Sequence, residues 1–200
     1  MSLWHTFKPT ILFLGKFFGL YLLLSVAYGF YIRAYDTAQP AEVDPITRYV
    51  AIHCGGFSSW LGYEVTIVDD DHLRQQNQPE RTYDSLWLND QYALSVEEGC
   101  NGINIMIIFL SFIIAFGGRP ARMLWFIPAG IAFIHLANIG RLFLLSYLNV
   151  SWSAEAYHFF HKYGFTAVLY LAILILWYLW VMHLGKRRTF KKPLEDAPAQ

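Results

Sequence analysis

The sequence predicts an all-α membrane protein: a four-helix transmembrane bundle with a small extracytoplasmic α+β cap between its first and second helices. Three observations lead there. Hydrophobic residues make up 56% of the 200 residues and charged residues only 15%, whereas a soluble domain is about a quarter charged. The apolar residues gather into four blocks. The 15 basic and 15 acidic residues cancel, and they cancel because they lie in different parts of the chain. Zero net charge excludes a bulk nucleic-acid binder. Two cysteines, Cys54 and Cys100, are too few for a disulfide framework.

The expected spans are residues 11–31, 99–116, 123–147 and 162–184 of a single integral membrane domain covering 1–200. A crossing needs about 20 residues at the α-helical rise. The first, third and fourth blocks meet that length. The second does so only if it starts near Gly99, which puts Cys100, Asn101 and Gly102 in its first turn. The first block lacks a small-x-small cleavage site, so it is read as a retained helix rather than a signal peptide.

Orientation follows from the basic residues. Lys8 precedes the first block, Arg119 and Arg122 sit in the turn between the second and third, and Lys186, Arg187, Arg188, Lys191 and Lys192 follow the fourth. In a four-helix protein these places share one side. The positive-inside rule makes that side cytoplasmic, with both termini and a basic tail, 185–200, inside. The segment 34–98 on the other side carries twelve of the fifteen acidic residues.

That outer segment has structure of its own. Asp44-Pro45 reads as a helix start, and apolar residues recur at helical spacing from Ile46 to Leu61, broken by Gly55-Gly56. The pattern suits an amphipathic helix lying on the membrane surface. Residues 63–68, 85–88 and 91–96 read as short strands of a β-meander or hairpin, with the polar run 69–84 as a turn or loop.

Ionisable groups in or beside membrane helices are functional candidates by default. Cys100 falls at the outer start of the second helix. Arg141 lies about two turns from the outer end of the third. His158 and His161 come just before the fourth enters from outside. A thiolate is a nucleophile, an imidazole can take its proton and later protonate a leaving amine, and an Arg can stabilise a thiolate or an oxyanion. The start of the second helix adds a positive helix end near Cys100. Glu97 and Glu98 oppose this electrostatically, and would bind a cation or a substrate amine or cap the helix.

Each residue also has a plainer explanation. Cys100 reads equally as a small buried hydrophobe, or as half of a disulfide with Cys54. Arg141 reads as a snorkelling side chain. His158 and His161 fit an aromatic belt with Trp152, Tyr157, Phe159 and Phe160. His53, beside Cys54, reads as part of a surface helix, and His135 as a buried hydrogen-bonding group. Asn138, one turn before Arg141, shares its face and could orient the guanidinium.

The run Glu97-Glu98-Gly99-Cys100-Asn101-Gly102-Ile103-Asn104 resembles the cysteine motif of the exosortase/archaeosortase family. Asn138-Ile139-Gly140-Arg141 resembles that family's Asn-x-x-Arg motif, and a His at the start of the last helix completes its Cys, Arg, His order. Size and the closing 176–181 stretch look most like the exosortase F type of Bacteroidota. The resemblance covers about 94–183 well and the rest loosely.

It implies a membrane-embedded cysteine transpeptidase of the bacterial inner membrane, with its site facing the periplasm and no cofactor or metal. Such enzymes cleave C-terminal sorting signals through an acyl-enzyme and pass the protein to a cell-surface acceptor, a lipid or a glycan. Cys100 would be the nucleophile, Arg141 the oxyanion or thiolate stabiliser, and His161 the general acid/base. His158 is the alternative, because the family's Gly four residues after the His is Phe165 here. Two other readings stand beside this one. The first is a zinc site from His158, His161, Cys100 and Glu97, against which Arg141 and the absence of a His-Glu-x-x-His motif both count. The second is a non-catalytic membrane assembly partner whose polar residues serve packing.

Overall fold

The computed structural model describes residues 3–37, 42–69, 83–152 and 165–185. His158, His161, the basic tail and most of the polar run 69–84 lie outside them. The described elements are α1 (Leu3–Asp36), α2 (Pro45–Trp60), β1 (Val65–Val68), β2 (Asp84–Leu88), β3 (Gln91–Val96), α3 (Ile103–Phe116), α4 (Pro120–Ser151) and α5 (Phe165–Leu179). A 3₁₀ turn, Glu98–Cys100, precedes α3, and a π-helical turn, Trp180–Leu184, continues α5.

Three described helices are long and apolar enough to cross a membrane: Phe7–Asp36, Pro120–Ser151 and Ala167–Leu184. α3 has 14 residues, short of the about 20 a crossing takes. The expected start of this helix at Gly99 is corrected to Ile103. Gly102 adopts φ 81, in the left-handed region, and turns the chain off the helical path. The Oδ1 of Asn101 accepts from the Ile103 amide at 3.0 Å and satisfies one of the orphan donors at the helix start. Cys100 therefore sits in the turn that feeds α3, not in its first helical turn.

α1 and α4 are longer than the expected spans of 11–31 and 123–147. In α4, Pro120 occupies the first helical positions, where its missing N–H costs nothing. Asp44 caps α2 as the sequence predicts, accepting from the amides of Ile46 and Thr47 at 3.0 and 3.1 Å. α2 runs continuously from Pro45 to Trp60, within a residue of the expected Ile46–Leu61, and Gly55-Gly56 interrupts only its apolar pattern. Gly55 instead permits contact, since a Cβ there would lie 3.0 Å from Ile67 Cδ1 and 3.2 Å from Val65 Cγ1.

The strands form an antiparallel meander in the order β1-β2-β3. Asn89 and Asp90 make the β2–β3 hairpin turn with φ 50 and 60, the double left-handed geometry that matches strand twist. Asn89 also exchanges two hydrogen bonds with Glu64, at 2.8 and 3.0 Å, which ties β1 to the turn. A bulge between Leu86 and Trp87 interrupts the β2–β3 register. Opposite it, the Asn149 amide donates to the carbonyls of Tyr92 and Ala93 at 3.3 and 2.7 Å, fastening β3 to the end of α4.

Two apolar cores result. One joins α2, β2, β3 and the C-terminal half of α4 through Val50, Ala51, Leu86, Leu94 and Leu142. The other joins α3, α4 and α5 through Phe109, Ile113, Ile134, Ile173 and Trp180. α1 leans on α3 by edge-on rings, Phe13 against Phe112 and Phe116 and Phe17 against Phe112. Its other face, including Leu22, Leu23 and Phe30, is exposed, as expected of a helix solvated by lipid. One further expectation is corrected here: Cys54 is wholly buried under the sheet rather than on a surface. Both cysteines are free thiols, so the alternative of a disulfide between them is not formed.

Candidate active site

The 3₁₀ turn Glu98–Cys100 is closed by the Cys100 amide donating to the Glu97 carbonyl at 2.8 Å. Cys100 is half-buried, packed against the sheet-side core. Two asparagines tie this turn to other helices.

The first is Asn138 on α4, which is wholly buried. Its Nδ2 donates to the Cys100 carbonyl at 2.8 Å. Its Oδ1 accepts from Arg141 Nη1 at 3.2 Å. One side chain thus links the cysteine turn to the arginine three residues further along α4. The α4 backbone supplies the spacing, because residues i and i+3 lie on one face. Gly102 lies beside Asn138, where a Cβ would make an ordinary contact at 3.4 Å to Cγ and Nδ2; its φ of 81 is what favours glycine there. Arg141 is half-buried, and its Nε is buried with no hydrogen-bond partner among the described residues.

The second is Asn101, 1% exposed. Its Nδ2 donates to Tyr28 OH on α1 at 2.6 Å and to Thr47 Oγ1 on α2 at 3.0 Å. Its Oδ1 caps α3. A neighbouring bond runs from Tyr31 OH to the α2 cap residue Asp44 at 3.4 Å. The roles of Tyr28 and Thr47 escaped the sequence reading, because nothing in the chain's local pattern says that their hydroxyls meet one amide.

Glu97 is half-buried and Glu98 exposed, and Glu97 stands at the cap position of the 3₁₀ turn without a side-chain cap bond. His158 and His161 lie outside the described residues. Among the described residues, no three His, Cys, Asp or Glu side chains converge as metal ligands would. The zinc alternative depends on the two undescribed histidines.

A different histidine pair does form. His53 Nδ1 and His135 Nε2, on α2 and α4, are 2.8 Å apart, with the Tyr49 ring tilted against His53 at a centroid distance of 3.9 Å. His135 is a hydrogen-bonding group as expected. His53 is half-buried and engaged rather than part of a free surface.

A polytopic membrane protein with a half-buried cysteine, tied by a buried amide to a membrane-helix arginine, has the equipment of an intramembrane thiol enzyme. The family model described as "Transmembrane exosortase (Exosortase_EpsH)" matches residues 3–178, and the chain belongs to that family. No curated protein and no solved structure matches it. Membership makes this a membrane protein of the cysteine-type transpeptidase class, which acts on sorting signals.

Proposed function

We propose that the chain cleaves C-terminal sorting signals of exported proteins through a thioacyl-enzyme on Cys100 and transfers them to a cell-surface acceptor. The observation that carries this reading is Asn138, which bonds the Cys100 carbonyl and Arg141 at once. The amide couples the cysteine turn and the arginine motif in one constellation.

In the reaction, an imidazole takes the Cys100 proton. The thiolate attacks the scissile carbonyl, and a C–S bond forms. Arg141 stabilises the oxyanion. The C–N bond then breaks, and the leaving amine takes the proton from the imidazolium. An acceptor amine, hydroxyl or water opens the thioester, gives its proton to the imidazole and returns the thiolate. His161 fills the imidazole role, with His158 as its alternative.

In the membrane, α3 counts as a fourth crossing when the turn from Glu97 to Gly102 is included. Both termini face the cytoplasm, and α2 and the sheet cap the periplasmic side of an inner membrane. Kinship within the family is closest to the F type of Bacteroidota. The test is a tagged exported reporter carrying a host sorting signal. Cys100→Ala should insert normally and leave the reporter unprocessed. A Cys100→Ser variant incubated with signal peptide should yield no thioacyl adduct, whereas wild type should yield one by mass spectrometry on the Cys100 peptide. Normal processing by Cys100→Ala would sink the proposal.

A further inference from the structure

Asn101 follows the cysteine in the chain, and its amide bonds to α1 and α2, whereas Asn138 bonds the turn from α4. All of its hydrogen-bonding capacity that the turn can use is engaged there: two donations, to Tyr28 and Thr47, and one acceptance, from Ile103. It is 1% exposed, and Thr47 is wholly buried. A cap alone would need only the Oδ1. The two Nδ2 bonds do something a cap does not, because they fasten the residue after Cys100 to two other helices.

Resting on the reading of Cys100 as nucleophile, we infer that Asn101 is a positioning residue. With Tyr28 and Thr47 it clamps one side of the cysteine turn, while Asn138 clamps the other. The turn needs both. Gly102 at φ 81 leaves the chain between turn and helix with wide conformational freedom. Backbone bonds close the turn on itself, and the side-chain bonds from α1, α2 and α4 help fix where it stands relative to the α3 N-terminus and Arg141. Those two positive ends stabilise a thiolate only at short range. Freeing the Asn101 side lets the turn swing about the Asn138 bond, and the sulfur moves out of register with both. A misplacement of about 1 Å at a reacting group costs roughly a hundredfold in rate.

Tyr28 also connects the turn to α1, and Thr47 sits in the first turn of α2, whose cap residue Asp44 accepts from Tyr31. Helices from two parts of the chain thereby set the geometry of a third. α1 is thus a part of the catalytic frame as well as a membrane anchor.

The experiment measures the rate of Cys100 alkylation by iodoacetamide at pH 7 in the full-length protein in detergent, read site by site by mass spectrometry. The panel is wild type, Asn101→Ala, Asn101→Gln and the isosteric pair Tyr28→Phe with Thr47→Val, with thermal melts and membrane yield for each. Wild type should alkylate faster than the same protein denatured. Asn101→Ala and the isosteric pair should slow alkylation by about tenfold or more. Asn101→Gln, which keeps the donors at a longer reach, should recover part of the rate. The pair removes only two acceptors and keeps side-chain volume, so it decides the matter where Asn101→Ala folds poorly. A wild-type alkylation rate in the isosteric pair overturns the inference while leaving the nucleophile reading intact. A wild type that alkylates like a free thiol overturns the nucleophile reading, and this inference with it.

Discussion

The two cysteines show how position sets the chemistry of one side-chain type. Cys100 is half-exposed on a turn between polar groups, and Cys54 is wholly buried between α2 and the sheet. Burial pushes the Cys54 thiol up to about 12, with the Ser58 hydroxyl only partly offsetting it. The sign of the linkage is fixed. The unfolded chain releases this proton near the ordinary thiol range and the folded chain only near 12. Cys54 therefore contributes stability that is full below that ordinary range and lost as pH rises toward 12. Cys54→Ala should accordingly narrow its stability deficit against wild type as pH rises above about 9, read as the difference in melting temperature. A constant difference across that window would contradict the assignment. Asn138 belongs to the same scale. Its place one turn before Arg141 was legible in the sequence from helical spacing. Its bond to the Cys100 carbonyl was not, because 38 residues separate the partners and only folding brings them together.

Among the elements, the local signals held where local chemistry decides structure. Asp44-Pro45 opened α2, and the alternation in 91–96 gave β3 with the same bounds. They are silent where a distant element decides. Gly55-Gly56 interrupts the apolar spacing in the sequence, and in the fold Gly55 is where β1 packs closely on α2, a Cβ there standing 3.0 Å from Ile67 Cδ1. Gly130 carries the same lesson in α4: a Cβ there would run into the Phe109 ring of α3. Small residues at helix crossings let backbones approach where lipid offers no hydrophobic drive to association. Gly130→Ala should therefore destabilise the protein by about 1–3 kcal/mol through overpacking, lowering its melting temperature in detergent. Gly15→Ala, where nothing lies within 4 Å, should not. Equal melts for the two would remove the argument.

For the whole molecule, charge asymmetry is the feature with the longest reach. The acidic residues concentrate in 34–98 and the basic ones at the opposite helix ends, which by the positive-inside rule orients the protein. On a Cys54→Ala, Cys100→Ala background, a cysteine at Asn89 in the hairpin turn should label with a membrane-impermeant maleimide added outside intact inner-membrane vesicles of right-side-out orientation. One at Arg119, between α3 and α4, should label only after permeabilisation. The reverse pattern would invert the topology and move the cysteine turn to the cytoplasm. The sequence by itself determined the membrane class, the presence of three helices of membrane length and the candidate site residues, because hydropathy, charge and short motifs are properties of neighbouring residues. The tertiary structure alone decided where α1, α3 and α4 begin and end, what buries Cys54, and that Asn101 and Asn138 tie the cysteine turn to three other helices. Those outcomes depend on which helices pack together, and a hydrogen bond across tens of residues leaves no periodicity in the chain that makes it.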